Sequence, residues 1–447
     1  MRKRLVKYSR FTLLLMIFST QMTAGQALAG QSPVDTPVPV EIVEESGRYR
    51  LLRGGRPYQV RGAGGAEAGG IGALAAHGGN ALRTWTTGED TSAGRRVLDE
   101  ALRHDVTVAL CIELRGERRG FDYDDEEAVA RQLEYARGEV MKFKDHPALL
   151  MWIIGNELNH SFTNPRVFDA INGISRMIHE VDGNHPTTTA LSGFSADVVA
   201  IAEDRAADLD MLSFQLYGGI DQLPQQMAEI GYTGPFMITE WGTNGHWEVE
   251  KTAWGAPIEM NSSEKARRYL QRYESVIAPD PQQIIGSYVF LWGQKQERTP
   301  TWYGVFLEDG SETEVVDVMH YIWNGEWPEN RSPQIEGMVL DLKRADQNVI
   351  LDAGKGYDAR VDAIEPDTED LVYRWLIMRE SAATQEGGDR EVVPDTVAGR
   401  IETLSDGKVR VTAPDEPGAY RLFVYVYDGN RHAGHANIPF QVVSKGQ

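Results

Sequence analysis

The chain has 447 residues, 66 acidic against 45 basic side chains, a formal charge of −21 and a single cysteine. That length exceeds one ordinary hydrophobic core and suits two domains. So acidic a balance argues against nucleic acid or an anionic membrane as partner, and one cysteine excludes a disulfide framework, while neutral ligands stay open.

The first ten residues, MRKRLVKYSR, carry five basic side chains, and the apolar stretch FTLLLMIF and then QALAG follow. A basic start, a short apolar core and Ala27-Leu28-Ala29 read as a secretory signal peptide over residues 1–29. The apolar core is far shorter than the ~20 residues that cross a bilayer. Cleavage after Ala29 would leave 40 basic against 66 acidic residues, a charge of −26. The expected product is exported, periplasmic or extracellular, with no membrane insertion; nothing in the sequence speaks to its oligomeric state.

Residues 30–57 read as a polar linker, SPVDTPVPV, then short strands about a Gly54-Gly55 turn. From 58 to 330, short apolar runs alternate with helical patterns. The runs are YQVRGAGG (58–65), NALRTW (80–85), VTVALCIEL (106–114), ALLMWIIGNE (148–157), TTTALSGF (187–194), MLSFQLYGG (211–219), PFMITEWG (235–242) and IIGSYVFLWG (284–293). They are too continuously apolar for half-exposed strands and suit a parallel sheet buried on both faces. Between them, Val129, Leu133, Ala136, Val140 and Phe143 keep helical spacing, as do Val167, Phe168, Ile171, Ile174, Met177, Ile178 and Val181 behind Asn164-Pro165. Asn261 and Glu264 form a candidate capping box. Eight strands joined by helices predict a (β/α)8 barrel, with a doubly wound open sheet as the alternative. From 331 to 447 the pattern becomes strands and turns, including LVYRWLIM, AYRLFVYVYDGN and a predicted hairpin turn at Asp428-Gly429-Asn430. It predicts a small C-terminal β-sandwich, immunoglobulin-like in size.

In a parallel barrel, functional side chains project from the C-terminal strand ends. Glu157 stands there on the fourth strand and Glu240 on the seventh, and two carboxylates across a sugar-sized gap are the apparatus of a glycosidase. An Asn-Glu after a strand also caps helices, but that reading weakens when two strand ends carry a glutamate. Cys111, inside an apolar run with no base nearby, reads as a core residue.

The segment KDHPALLMWIIGNE (144–157) resembles the acid/base segment of glycoside hydrolase family 2, a clan A family of β-galactosidases and β-glucuronidases, and PFMITEWG resembles its nucleophile segment. VRGAGG, GGNALRTW, VDGNHPTTTAL and YVFLWG are similar to its pattern at the first, second, fifth and eighth strands, so the resemblance covers roughly residues 55–325. It implies a retaining mechanism with Glu157 as acid/base and Glu240 as nucleophile, their carboxyl groups about 5–5.5 Å apart. It further implies that Asn156 bonds the 2-hydroxyl of the reacting sugar and that Arg83 lies beside Glu240 and keeps it ionised. Glu157 would start protonated, Tyr217 would donate to the nucleophile, and Trp292 would floor the sugar site. Where the family usually carries asparagine two residues before this tyrosine, the chain has Gln215, a departure at the sugar contact expected from that strand. The family's usual N-terminal jelly-roll and immunoglobulin-like domains have no counterpart here, so its known substrates do not transfer.

Among ten tryptophans, Trp85, Trp241, Trp247, Trp254, Trp292 and Trp302 fall at or just after strand ends and are expected to line a cleft and stack on sugar rings, while Trp152 and Trp375 are expected in the core. Glu113, His160 and His246 are further strand-end candidates. The expected function is an exported retaining β-glycosidase acting on a β-linked polysaccharide or oligosaccharide, with a glucan expected from the aromatic cleft. No metal or organic cofactor is called for, and the acidic turn EPDTED (365–370) is given little weight as a calcium site. A transglycosylase using the same residues, and a non-catalytic glycan-binding or envelope protein, are the alternatives.

Overall fold

The computed structural model describes residues 35–65, 70–279, 282–367, 370–384 and 388–444. The leader read at 1–29 lies outside the described residues, as do Thr368 and Glu369 of the acidic turn. Among the described residues, no helix is long and apolar enough to cross a membrane.

The chain enters through an antiparallel meander of β1 (Val40–Glu45), β2 (Arg48–Arg53) and β3 (Arg56–Pro57), turned by Gly54 and Gly55, both at positive φ. Eight strands then close a parallel barrel: β4 (Val60–Gly64), β5 (Ala81–Arg83), β6 (Thr107–Ile112), β7 (Leu149–Asn156), β8 (Thr187–Ser192), β9 (Leu212–Leu216), β10 (Phe236–Trp241) and β11 (Ile284–Val289). β11 pairs with β4 and completes the ring, so the open-sheet alternative is excluded.

The uniform apolar character of these strands follows from two buried faces. On β7, Met151 and Ile153 belong to an inner cluster, whereas Trp152 and Ile154 belong to an outer one beneath the helices. The inner cluster includes Cys111, whose thiol burial pushes up to about 12, as suits a core side chain. Val40 and Leu51 of the meander pack into it with Val60 and Met211, so the meander plugs the end of the barrel where the strands begin.

The helices are α1 (Ile71–Ala76), α2 (Thr91–Arg103), α3 (Glu126–Phe143), α4 (Arg166–Val181), α5 (Ala196–Arg205), α6 (Leu223–Ile230), α7 (Ser262–Arg272) and α8 (Glu314–Asn324). The apolar stripe of α4 (Val167, Phe168, Ile171, Ile174, Met177 and Ile178) is buried, each large side chain contributing roughly 1.5–3 kcal/mol. The helix begins at Arg166, with Pro165 as its cap residue. At α7, Asn261 Oδ1 accepts from the Glu264 N–H at 2.9 Å and Glu264 Oε2 accepts from the Asn261 N–H at 2.9 Å, a complete capping box.

Beyond α8 come β12 (Gln334–Leu340), β13 (Val349–Asp352), β14 (Gly356–Ile364), β15 (Val372–Arg379), β16 (Thr396–Val397), β17 (Ile401–Ser405), β18 (Lys408–Thr412), β19 (Gly418–Tyr427) and β20 (Ala433–Val443). They form a four-stranded sheet, β12-β14-β18-β17, and a five-stranded one, β13-β20-β19-β15-β16, in which β13 runs parallel to β20. Leu340, Leu351, Val361, Leu422, Ile438 and Phe440 fill the core between them, and β19 and β20 form the hairpin expected around Gly429.

These sheets join the barrel through buried charge. Lys265 of α7 donates to Glu259 Oε1 at 2.6 Å and to the Thr301 carbonyl at 2.5 Å, and Asn437 Nδ2 of β20 donates to Glu259 Oε2 at 2.7 Å. Arg421 of β19 donates to Glu380, to Asn437 and to the Pro257 carbonyl. The Trp375 side chain is only partly buried and packs against the C-terminal core; Trp152 is fully buried, its indole N–H donating to Asp182 at 2.7 Å.

Candidate active site

The opening of the barrel, where the strands end, holds a cleft of about 870 Å³. Glu157 and Glu240 both line it, with Asn156, Trp85, Tyr217, Trp247 and Trp292. Each glutamate follows an irregularity in its strand. The register between β7 and β8 shifts between Ile153 and Asn156, and that between β10 and β9 shifts between Ile238 and Glu240. Such shifts re-aim the side chains that follow.

On β7 the shift runs through Gly155 at φ +72° and Glu157 at φ +51°. A Cβ on Gly155 would collide with the Leu158 side chain, so both the backbone and the space require glycine. A non-glycine residue in the left-handed region costs about 1–3 kcal/mol and persists where its surroundings impose it. Here the Glu157 N–H donates to the Ala190 carbonyl at 2.8 Å.

Glu240 is buried and almost enclosed by donors. Its Oε1 accepts from the Arg83 guanidinium, from the Trp85 indole N–H at 2.7 Å and from Gln215 Nε2 at 2.9 Å, while its Oε2 accepts from the Tyr217 hydroxyl at 2.7 Å. Arg83 is fully buried, and its other nitrogen donates to Asn156 Oδ1. Burial and the Glu240 charge push the Tyr217 phenol well above its ordinary range, so it stays a donor. Four donors therefore converge on this one buried carboxylate. Glu157 has a different environment. Burial first, and then the Glu240 charge, raise its carboxyl to about 7, against a smaller lowering by Ser192.

Asn156 Oδ1 accepts from both Arg83 and Gln215 Nε2, the latter at 2.7 Å. That fixes the amide with its NH2 group toward the cleft. Gln215 is buried and is not part of the cleft wall; it ties Asn156 to Glu240 from below. Trp292 lines the cleft but is only 4% exposed, packed on Trp323 and Phe306 with its N–H on the Gly70 carbonyl at 3.2 Å.

Trp241 and Trp302 depart from the sequence expectation. With Glu240 turned to the cleft, Trp241 points the other way by the strand's alternation, fully buried against Tyr269 and Tyr273. Trp302 is 2% exposed, its N–H on the Asn244 carbonyl at 3.0 Å, and it lies behind the cleft wall, as does His246. Trp254 is not among the cleft residues either. Trp247, by contrast, is 47% exposed and stands edge-on to Tyr217. Glu113 and His160 also line the cleft.

The structure adds residues that the sequence reading passed over: Phe290, Tyr303 and Glu297 from the segment after β11, and the cations Arg118, Arg119, Lys295 and Arg431. Arg118 and Arg119 lie just past Glu113 in a Gly-flanked loop, and Lys295 follows Trp292 by three residues, so their nearness to strand ends was the available signal. Among the described residues, no cluster of three or more His, Cys, Asp or Glu could hold a metal ion.

Residues 82–273 match the family model described as "Glycosyl hydrolases family 2, TIM barrel domain". No curated protein matches the chain. Among solved structures, a Bacteroides uniformis β-glucuronidase is similar at 13% identity and TM-score 0.49, over 91% of this chain and 48% of its own. An FMN-binding β-glucuronidase from Faecalibacterium prausnitzii is similar at 14% identity and TM-score 0.48, over 91% and 58%. A family 5 mannosidase from Rhizomucor miehei is similar at 14% identity and TM-score 0.47, over 64% and 97%. The chain thus spans about half the length of the β-glucuronidases it matches, and at such identities these likenesses say nothing of activity. The stretch 82–273 thus matches the TIM-barrel domain of family 2 glycosyl hydrolases, and it lies within the closed eight-stranded barrel of this chain.

Proposed function

We propose that the protein is an exported retaining β-glycosidase that hydrolyses a β-linked polysaccharide or oligosaccharide, with a glucan as the expected substrate. The observation that carries this reading is the unequal pair of carboxyl groups in one cleft: Glu240 under four donors, and Glu157 raised to about 7. Such a pair divides acid and nucleophile roles at neutral pH. Glu240 attacks the anomeric carbon while Glu157 protonates the leaving oxygen; then Glu157, now charged, takes a proton from the water that displaces Glu240. In this reading the NH2 group of Asn156 donates to the sugar's 2-hydroxyl, which is supported by its Oδ1 being taken by Arg83 and Gln215. Trp85, Trp247 and Phe290 offer flat apolar partners to sugar rings along the cleft.

The test is turnover of β-linked glucans, mannans, xylans and galactans, with products read by mass spectrometry. Shortened products with the β configuration kept at first release support the reading. Lengthened products would make the protein a transglycosylase, and a glycan bound without turnover would make it a binding protein.

A pH dependence follows. Because the Glu157 carboxyl is raised, its proton is present below about 7 and lost above it. The value of kcat/KM is therefore expected to fall on an alkaline limb centred near 7, and Glu157→Gln should remove that limb. A flat profile from pH 6 to 9 would contradict the assignment.

A further inference from the structure

One flank of the cleft is a cluster of matched charge drawn from two parts of the chain. Lys295 Nζ lies 2.7 Å from Glu297 Oε2 and 3.3 Å from the Gly388 carbonyl, and Arg119 Nη1 lies 3.4 Å from Glu113 Oε1. The third carboxylate comes from outside the barrel. Asp389, in the segment between β15 and β16, places Oδ1 3.2 Å from Arg118 Nη2 and 3.5 Å from Arg119 Nη2. Its segment is seated by Glu391, a buried carboxylate whose Oε2 accepts from the Arg298 N–H at 2.7 Å. Gly388 itself lines the cleft, so the C-terminal sheets do more than pack against the barrel. Three cations meet three carboxylates, and without Asp389 the balance would be positive.

We propose that Asp389 is a positioning residue that sets the charge preference of the cleft, making it select uncharged glycans over acidic ones. This rests on the glycosidase reading. A guanidinium grips a carboxylate in its planar fork, so two arginines on a cleft wall would recruit a uronate or a sulfated sugar. With Asp389 on both guanidinium groups, an acidic sugar must displace one carboxylate and approach another, Glu113. A neutral chain meets neither cost.

The experiment compares kcat/KM for a neutral β-linked oligosaccharide and its uronate counterpart in the parent, Asp389→Asn and Asp389→Glu. Asp389→Asn keeps size and removes charge, so the uronate-to-neutral ratio should rise at least about threefold, within the range of an exposed ion pair, and the change should sit in KM. Asp389→Glu should return the ratio toward the parent's. Tm should stay unchanged, because the Asp389 side chain is 39% exposed. An unchanged ratio in Asp389→Asn, or a parent that already prefers the uronate, overturns the proposal. A parent that turns over neither glycan sinks the glycosidase reading instead. The charge preference is then judged by calorimetric binding of the same two glycans, where an unchanged ratio or no binding of either overturns it.

Discussion

Glu240→Gln is expected to abolish glycoside turnover, by more than about 10⁴-fold in kcat, because the group that would bond the anomeric carbon is gone. The amide is close in size to the carboxylate. With its carbonyl oxygen in the Oε1 position it still accepts from Trp85 and Gln215, and its NH2 group can donate to the Tyr217 hydroxyl oxygen once that hydroxyl turns. Glycan binding should therefore survive while chemistry fails. Glu157→Gln should behave differently. Loss of general acid–base help costs about 10²–10⁴-fold on a natural glycan, but much less on an aryl glycoside whose leaving group departs without a proton. Small anions such as azide should rescue the second step in Glu157→Gln and yield a β-glycosyl azide. Steady-state kinetics with both substrate types separates the two roles. Equal losses on both substrates in Glu157→Gln would reassign it, and retained turnover in Glu240→Gln would remove it from the chemistry.

The second large effect concerns stability. Glu259→Ala should destabilise the protein by about 3–5 kcal/mol, since it strands the buried Lys265 ammonium and orphans Asn437. Equilibrium unfolding in urea would show it, and a change under 1 kcal/mol would mean that water or a rearranged partner takes the place of Glu259. The same carboxylate gives the expected acid response. Burial alone would raise its pKa, but the Lys265 ammonium, His435 and the hydrogen bonds from Lys265 and Thr299 outweigh burial and hold it at about 2, below its ordinary 4.5. A depressed carboxylate contributes stability that is complete above its unfolded value and lost as pH falls toward the folded one. Glu312, held at about 2 between His432 and His77, acts in the same direction. Unfolding free energy is thus expected to decline from pH 4.5 toward 2.

The barrel was legible because a strand buried on both faces cannot hide its composition. Runs such as Leu149–Ile154 have no other comfortable place in a chain of this size, and helical spacing in Val167–Ile178 marks the covering layer. Strand ends were legible too, and with them Glu157, Glu240 and Asn156. What strand ends do not reveal is direction. Glu240 and Trp241 are neighbours, yet alternation sends one into the cleft and the other beneath α7, and the register shift that decides which is a property of the paired strands. Trp302 failed for a related reason: a polar, glycine-containing loop can fold back and bury its own indole, here on the Asn244 carbonyl. Asp389 was beyond reach from sequence, being some 270 residues from the arginines it meets and on an element whose docking depends on Glu391.

The meander at the start of the described chain fixes an orientation. Because β1 to β3 seal the end where the strands begin, and the glutamates stand where they finish, a chain entering at Val40 arrives on the side of the barrel opposite the cleft. A bead, a chip or a fusion partner attached ahead of Val40 would therefore leave the mouth facing outward into solution. The same attachment at the Asp428–Arg431 hairpin, where Arg431 borders the cleft, would crowd the entrance.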